Sequence, residues 1–174
     1  MKYLALCVSF LFIPFLALAE LPLGKVPPTV TLEGKNGGRL DGSPWSSAEI
    51  KGKVFTLWYV DPDEADMNDH VSQRLSDENF PKEKLGSIAI INMAAAPWKP
   101  NFAIESALKE KQEEFPNTLY LKDFKKVLVK EWNLEDHSCD ILLFDQTGKV
   151  VFSKDGKFSQ KDVDNLVAAI KGII

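Results

Sequence analysis

His137, Ser138 and Cys139 form the triplet in this sequence with the clearest capacity for chemistry. Residues two apart in an extended segment project to the same side, so the imidazole and the thiol are expected to lie together. Both groups are ligands of copper and zinc. A tight zinc site needs at least three protein ligands, so His70 or Met67 would have to complete the set. A copper- or zinc-binding module at His137 and Cys139 is therefore one hypothesis.

Cys139 by itself could also act as a nucleophile. A thiolate stabilised by His137 or by a nearby helix N-terminus would suit a one-thiol oxidoreductase or thioltransferase that uses an external thiol as resolver. The negative charges of Asp136 and Asp140 act in the opposite direction, because they disfavour the thiolate. A free cysteine at the entrance of a strand is also often a small buried apolar residue. Catalysis by Cys139 is kept as an alternative; no catalytic residue, metal or cofactor is expected.

A group of acidic residues follows the apolar segment Val54–Val60. Its members are Asp61, Asp63, Glu64, Asp66 and Asp69. Acidic side chains in the first turn of a helix accept hydrogen bonds from unpaired N–H groups and interact favourably with the helix dipole, by about 0.3–1 kcal/mol each. The alternative is a divalent-cation site with oxygen ligands, but the segment lacks the glycine of a calcium loop. We interpret the group as a capped and solvated helix start.

Apolar strands and amphipathic helices alternate through the part of the chain that must position these residues. The patterns predict strands at 54–60, 88–91, 118–121, 141–144 and 150–152, and helices at 62–79, 101–115 and 124–132. The expected apolar face of the helix at 101–115 carries Ala103, Ile104, Ala107 and Leu108. Ser159, with Asp162 three residues later, caps a final helix. This order predicts a mixed sheet with helices on both faces.

The N-terminal part of the chain has a different pattern. A strand at 29–32, the turn GKNGG at 34–38 and a return through 39–41 predict a β-hairpin within about 24–45, ahead of a core at about 46–174. The sequence SSAE at 46–49 fits a capping box that opens a short helical turn.

The first 19 residues have the order of a cleavable secretory signal: Lys2, a long apolar run and a small-residue site that ends at Ala19. The run is shorter than the roughly 20 residues of a membrane span and contains Pro14. Cleavage would leave one domain at 20–174 with no membrane insertion. Because Cys7 would be removed, Cys139 could not form an internal disulfide.

The charge balance restricts the class of partner. The formal net charge is −4, and loss of the single charge on Lys2 would make it −5. Nucleic-acid binding depends on clustered lysine and arginine, and the sequence has no basic stripe with interleaved aromatic residues. We therefore expect no nucleic acid. A protein partner is expected instead from the hypothesis of a binding or accessory protein.

Two segments resemble a known family. WSSAEIKGKVFTLWYV (45–60) looks like the opening half of the thioredoxin-like fold in its larger, peroxiredoxin-like form, and LYLKDFKKVLVKEWNLEDHSCDILLFDQTGKVVFSKDG (119–156) looks like the closing half. Over about 24–173 the chain is similar to the YtfJ-like family of periplasmic proteins. The resemblance implies a three-layer α/β sandwich and a periplasmic location.

The same resemblance bears on redox chemistry. Alignment of Leu57-Trp58 with the Phe-Trp of active members sets Pro62 and Ala65 where the two redox cysteines would stand. Disulfide exchange needs one thiolate to attack and a second to resolve the mixed disulfide. Ordinary dithiol activity is therefore not expected. Cys139 falls at or beside the position of the cis-proline of active relatives.

A candidate binding edge follows from the sheet topology and the resemblance. Loops beyond the carboxyl ends of parallel strands line the ligand crevice in open α/β sheets, which would place the loop of Trp98 beside 61–64. In the resembled fold the start of the antiparallel strand borders the same edge. The candidate residues are Asp61, Asp63, Glu64, Trp98, His137, Cys139 and Asp140. For Trp98 the alternative is a cap over the core. The function predicted is that of a binding or accessory protein without dithiol activity.

Overall fold

The computed structural model describes residues 21–174, so the predicted signal segment 1–19 and its cleavage site lie outside the described residues. The strands are β1 (Thr31–Leu32), β2 (Gly37–Arg39), β3 (Trp45–Ser46), β4 (Val54–Val60), β5 (Leu85–Asn92), β6 (Thr118–Asp123), β7 (Cys139–Phe144) and β8 (Val150–Lys154). The α-helices are α1 (Asp69–Asp77), α2 (Asn101–Glu114), α3 (Val127–Trp132) and α4 (Gln160–Lys171). Within the described part of the chain, no helix is long and apolar enough to cross a membrane.

Six strands form one mixed sheet in the order β2-β6-β5-β4-β7-β8, and β1 pairs with β3 in a small second sheet. The pairs β4–β5 and β5–β6 are parallel, whereas β7 lies antiparallel to both β4 and β8. Helices α1, α2 and α4 cover one face of the large sheet; α3 and the N-terminal segment cover the other. The predicted mixed sheet with helices on both faces is confirmed.

Burial on both faces explains the continuous apolar sequence of the central strands. In β4, Leu57 and Tyr59 pack under α3 and the N-terminal segment, while Val54 and Val60 pack under α1 and α4. A strand that is covered on both sides has no solvated face, so the alternation of polar and apolar residues disappears. The paired strand β7 is buried along its whole length for the same reason.

The predicted N-terminal hairpin at about 24–45 is wrong. β1 pairs with β3 rather than with the returning segment, and β2 instead joins the edge of the large sheet against β6. Glycine permits this pairing: Gly37 has φ 138°, and an added Cβ would lie 1.9 Å from the carbonyl oxygen of Lys122. The glycines that resemble a simple turn in the sequence therefore allow a close backbone contact.

The helix predicted at 62–79 is shorter than expected, because α1 begins only at Asp69. Successive turns fill the preceding segment, with the N–H of Glu64 donating to the carbonyl of Asp61. Asn68 is the anchor: its Nδ2 donates to the carbonyl of Gly156 at 3.0 Å, and its Oδ1 accepts from the N–H of Phe158 at 2.9 Å. These contacts with a distant segment hold the chain ahead of α1 in a non-helical path.

The two predicted capping boxes are present. The Ser46 hydroxyl and the Glu49 carboxylate close a short 3-10 turn, and Ser159 with Asp162 does the same at the start of α4. In α2, by contrast, the predicted apolar face is only half correct. Its buried residues are Ile104 and Leu108, whereas Ala103 and Ala107 are exposed.

Candidate functional site

A row of polar residues ends the three parallel strands. Asp61 follows β4, Asn92 ends β5 and Asp123 ends β6; Asn92 and Asp123 are register partners, and Val60 pairs with Ile91 on the neighbouring strand. All three polar side chains are buried. Buried polar groups need hydrogen-bond partners, so this row requires a network around it.

Asp61 and His137 form the first part of that network. Asp61 is only 3% exposed, and its Oδ2 lies 3.0 Å from the Nδ1 of His137. Its Oδ1 accepts from the N–H of Asp63 at 2.8 Å, and its own N–H donates to the carbonyl of Ser138. The His137 side chain is 63% exposed, with its Nε2 3.8 Å from an Asp136 carboxylate oxygen. Asp61 therefore orients an exposed imidazole and does not cap α1, so the capping interpretation is wrong for this residue.

Asn92 and Asp136 form the second part. The Nδ2 of Asn92 donates to the main-chain carbonyl and to the carboxylate of Asp136, and the Nζ of Lys126 lies 2.6 Å from the other carboxylate oxygen. Burial acts to raise the pKa of Asp136, but hydrogen bonds from Lys126 and Asn92 outweigh it and hold that pKa below its ordinary value. Within residues 21–174 the buried Oδ1 of Asn92 has no hydrogen-bond partner.

Asp123 forms the third part and is structural. Its carboxylate accepts hydrogen bonds from the Tyr59 hydroxyl at 3.1 Å, from the N–H of Leu128 at 3.1 Å and from the N–H of Lys125 at 3.0 Å. Burial raises the pKa of Tyr59 far above its ordinary value, and the charge of Asp123 raises it further. This cluster ties the start of α3 to the centre of the sheet.

The loop after β5 lies against the acidic segment, as the sheet topology predicted. The Nζ of Lys99 donates to the carbonyl of Pro62 at 3.0 Å and pairs with the carboxylate of Asp63 at 2.5 Å. Trp98 is 64% exposed, so its alternative role as a cap over the core is wrong. Phe102, in the first turn of α2, is 75% exposed. Two large aromatic side chains therefore face solvent, one in the loop that contacts the acidic segment and one in the helix that follows this loop.

Cys139 lies in a different environment from His137. The residue is 2% exposed and belongs to the core under α1 and α4, together with Val71 and Phe158. Burial raises the pKa of its thiol to about 11; a hydrogen bond with Asn68 acts in the opposite direction, and nearby carboxylates add to the increase. The thiol is thus in the position of a small buried apolar residue.

The residues proposed as metal ligands are not assembled into one site. His137 pairs with Asp61 rather than with Cys139, and the Nε2 of His70 lies 3.0 Å from the carbonyl of Phe158. Met67 packs against the core. Among the described residues there is no group of three or more histidine, cysteine or acidic side chains that could hold a metal ion.

Asp140 does not join the Asp61–His137 pair. The residue is 4% exposed, and its Oδ2 accepts from the N–H of Glu135 at 3.2 Å. Burial raises the pKa of its carboxyl to about 7, with a further contribution from the charge of Asp155. Asp140 lines a separate cavity of about 340 Å³ near Leu21 and β8. The candidate edge thus divides into the exposed His137 held by Asp61, a buried thiol and this cavity.

Sequence reasoning missed several members of the network. Asn92, Asp123 and Lys126 were not identified, and Asp136 was considered only as a nearby negative charge. One signal was available, because each of the three parallel strands passes into an Asp or Asn at its carboxyl end. The partner Asp136 carries no comparable signal, since only the fold brings it to Asn92.

Relatives are found at the level of sequence. A family model described as a bacterial protein of unknown function, YtfJ_HI0045, matches residues 31–172. A protein of Haemophilus influenzae is 27% identical over 132 residues, which cover 75% of this chain and 72% of that protein. YtfJ of Escherichia coli is 20% identical over 177 residues, which cover 97% of this chain and 96% of that protein.

A solved structure is similar at the level of the fold. The crystal structure of a peroxiredoxin-like protein from Aquifex aeolicus has a TM-score of 0.63 at 15% identity, and the match covers 90% of each chain. At this identity the similarity concerns the fold alone, and it confirms the thioredoxin-like fold. Because the family model spans most of its length, the chain belongs to the YtfJ_HI0045 family of bacterial proteins.

Proposed function

We propose that this protein is an exported, periplasmic binding or accessory protein that uses a thioredoxin-like scaffold without dithiol turnover. The observation that carries the proposal is the state of Cys139, which is buried and has a thiol pKa of about 11. At pH 7 a thiol with that pKa is ionised to roughly one part in ten thousand, so it is a poor nucleophile. Pro62 and Ala65, which the resemblance sets where the two redox cysteines would stand, lie in turns ahead of α1.

The surface proposed for partner binding is called the crevice surface here. It consists of Trp98 and Phe102 with Asp63, Asp136 and His137. Exposed aromatic residues anchor many protein interfaces, because they bury a large area with little loss of side-chain freedom. Lys99 fixes the loop of Trp98 onto the acidic segment through Asp63. Oriented polar groups beside exposed aromatic rings suit a protein partner better than a small molecule.

The absence of dithiol turnover is tested by insulin reduction. The chain starting at Glu20 is expected to reduce insulin with dithiothreitol no faster than dithiothreitol alone, because no second thiol can resolve a mixed disulfide. The variant Cys139→Ser is expected to behave identically, and an ordinary thioredoxin serves as the positive control. A rate that rises with protein concentration and is lost in Cys139→Ser would refute the proposal in favour of a one-thiol enzyme.

Partner binding is tested by photo-crosslinking in cells. We expect p-benzoylphenylalanine at position 98 to form a defined protein adduct, and the same group at position 115 to form none. Phe115 is a matched control, because it is a partly exposed aromatic residue beyond the opposite end of α2, about 20 Å from Phe102. Phe102→Ala should weaken the adduct and Phe115→Ala should not. Equal labelling from both positions would contradict a binding role for the crevice surface.

A further inference from the structure

The cavity near Leu21 contains a carboxyl group that is almost completely enclosed. Its walls come from the start of β7, the end of β8 and the loop after α3, and its volume is about 340 Å³. Asp140 in this lining is 4% exposed, and its Oδ2 accepts from the N–H of Glu135 at 3.2 Å. The buried side chain of Leu21 supplies an apolar part of the wall. Leu21 therefore contributes to the enclosure of this carboxyl group.

A second acidic residue of the lining lies opposite Asp140. Ile141 on β7 is the antiparallel partner of Lys154 on β8, so the next position in the same register sets Asp140 against Asp155. Side chains that are directly opposite on antiparallel strands lie on one face, and like charges in such a pair are destabilising. The carboxyl groups of Asp140 and Asp155 therefore disfavour each other's charge.

Lys154 also lines the cavity, but its ammonium group is directed elsewhere. Its Nζ lies 3.7 Å from a carboxylate oxygen of Asp162 and 5.8 Å from the centroid of the Phe158 ring. Phe158 belongs to the core under α1 and α4, whereas Tyr59, the partner of Asp140 on β4, belongs to the core on the opposite face of the sheet. The positive charge of Lys154 is therefore held on the other face from Asp140.

Residues 21–25, called the N-terminal turn here, connect this cavity to the edge of β8. The N–H of Gly24 donates to the carbonyl of Val150 at 2.7 Å, and the N–H of Val150 donates to the carbonyl of Lys25 at 3.0 Å. Leu21 is buried in the core and lines the cavity. Segments near a chain end open at a lower free-energy cost than the centre of a sheet. The attachment of the turn therefore depends on these two bonds and on the burial of Leu21.

We infer that Asp140 is a proton-dependent switch for the N-terminal turn: the protonated carboxyl group keeps the turn attached to β8, and its ionisation favours release of the turn. An ionised carboxyl group is poorly solvated while Leu21 closes the cavity, and release of the turn exposes it to water. The attached state therefore binds the proton more tightly than the released state. Loss of the proton shifts the population toward the released state. The switch does not depend on partner binding at the crevice surface.

The charges around Asp140 set the direction of the pH dependence. In the attached state, burial and then the charge of Asp155 raise the pKa of the Asp140 carboxyl from 3.8 to about 7, while the hydrogen bond from Glu135 acts in the opposite direction. A solvated carboxyl in the released state has the ordinary pKa. The attached state is therefore most favoured below pH 4, and this preference is lost as pH rises through about 7. The titratable groups that face the carboxyl or line its cavity are Tyr59, Glu135, Lys154 and Asp155.

Amide hydrogen exchange of the purified protein tests the switch. Protection of the Gly24 and Val150 amides, corrected for the intrinsic pH dependence of exchange, should fall by at least about tenfold between pH 4.5 and pH 7.5. The amide of Leu166, in the middle of α4, is the internal reference and should change less. In Asp140→Asn, whose side chain is uncharged at both pH values, Gly24 and Val150 should follow Leu166. Equal changes at the three amides in the unsubstituted protein would overturn the inference, even if Asp140→Asn fails to fold.

Titration of the Asp140 carboxyl by carbon NMR tests the link to Leu21. The midpoint should lie near pH 7 in the unsubstituted protein and at lower pH in Leu21→Ala, because the smaller side chain admits water to the cavity. Leu23→Ala is the matched control, since Leu23 belongs to the same turn but is 61% exposed, and it should leave the midpoint unchanged. A midpoint that is the same in both variants, or one near pH 4 in the unsubstituted protein, would contradict the switch.

Discussion

Asp123 shows at the scale of one residue how a buried carboxylate is stabilised. Its two oxygens receive donors from Tyr59 on β4 and from two main-chain N–H groups at the start of α3. A buried carboxylate is stable when it accepts three hydrogen bonds. If a substitution removes that carboxylate, the three donor groups lose their acceptor. The residue therefore links the sheet to α3 energetically as well as spatially.

This arrangement makes a stability prediction. Asp123→Ala should lower the free energy of unfolding by about 3 kcal/mol, because it leaves two buried donors and one partly buried donor without an acceptor. Tyr59→Phe removes one donor and should cost about 1 kcal/mol. Urea denaturation followed by circular dichroism measures both. A cost for Asp123→Ala no larger than that of Tyr59→Phe would show that water replaces the carboxylate.

At the scale of elements, β2 depends on a glycine. Gly37 has an extended conformation with positive φ that is nearly restricted to glycine, and it lies against the carbonyl of Lys122 on β6. This strand closes the edge of the sheet beside β6, where it occupies backbone groups that would otherwise be unpaired. The pairing of β2 with β6 therefore requires the absence of a side chain at this position.

The expected result is a difference between two glycine substitutions. Gly37→Ala should cost about 2 kcal/mol or more, because it adds both backbone strain and a steric conflict with Lys122. Gly42→Ala is the matched control, since Gly42 also has positive φ but has open space around its Cα; it should cost about 1 kcal/mol. Chemical denaturation of the two variants gives the comparison. Equal costs would mean that the β2–β6 contact relaxes easily.

At the scale of the whole molecule, the reactivity of the Cys139 thiol measures how cooperatively the domain unfolds. The thiol lies between β7 and the helices α1 and α4, far across the sheet from β2. If the domain unfolds as one unit, its thiol becomes reactive only when the whole structure opens.

Native-state alkylation tests this property. Iodoacetamide should label Cys139 slowly in the folded protein and rapidly in urea, and the native rate should increase in Gly37→Ala by roughly 30-fold for a loss of about 2 kcal/mol. The increase should be smaller in Gly42→Ala. A native rate that does not change in either variant would show that the thiol becomes accessible through local opening near α1.

Strong local patterns were sufficient for much of the architecture. Continuous apolar runs at β4 and β7, the helical period of α4 and the two capping boxes act over a few residues, so they can be read before the chain is folded. The absence of a Cys-x-x-Cys motif follows from the order of the residues and needs no structure. A strand or helix that buries one face needs apolar residues at a regular spacing. That spacing is visible within a short stretch of sequence, so these elements could be predicted locally.

Only the tertiary structure decided the start of α1, the partner of β2 and the composition of the site. Asn68 bonds to Gly156 and Phe158, about ninety residues away, and this contact outweighs the helical pattern before Asp69. Contacts between segments that are remote in sequence also form the site. Asp61 is paired with His137, and Asn92 is hydrogen-bonded to Asp136. Asp140 and Leu21 line the same cavity. The sequence by itself determined the sheet, most of its helices and the absence of a Cys-x-x-Cys motif. The hydrogen bonds of the site depend on distances between segments that are remote in sequence, which only the folded chain sets.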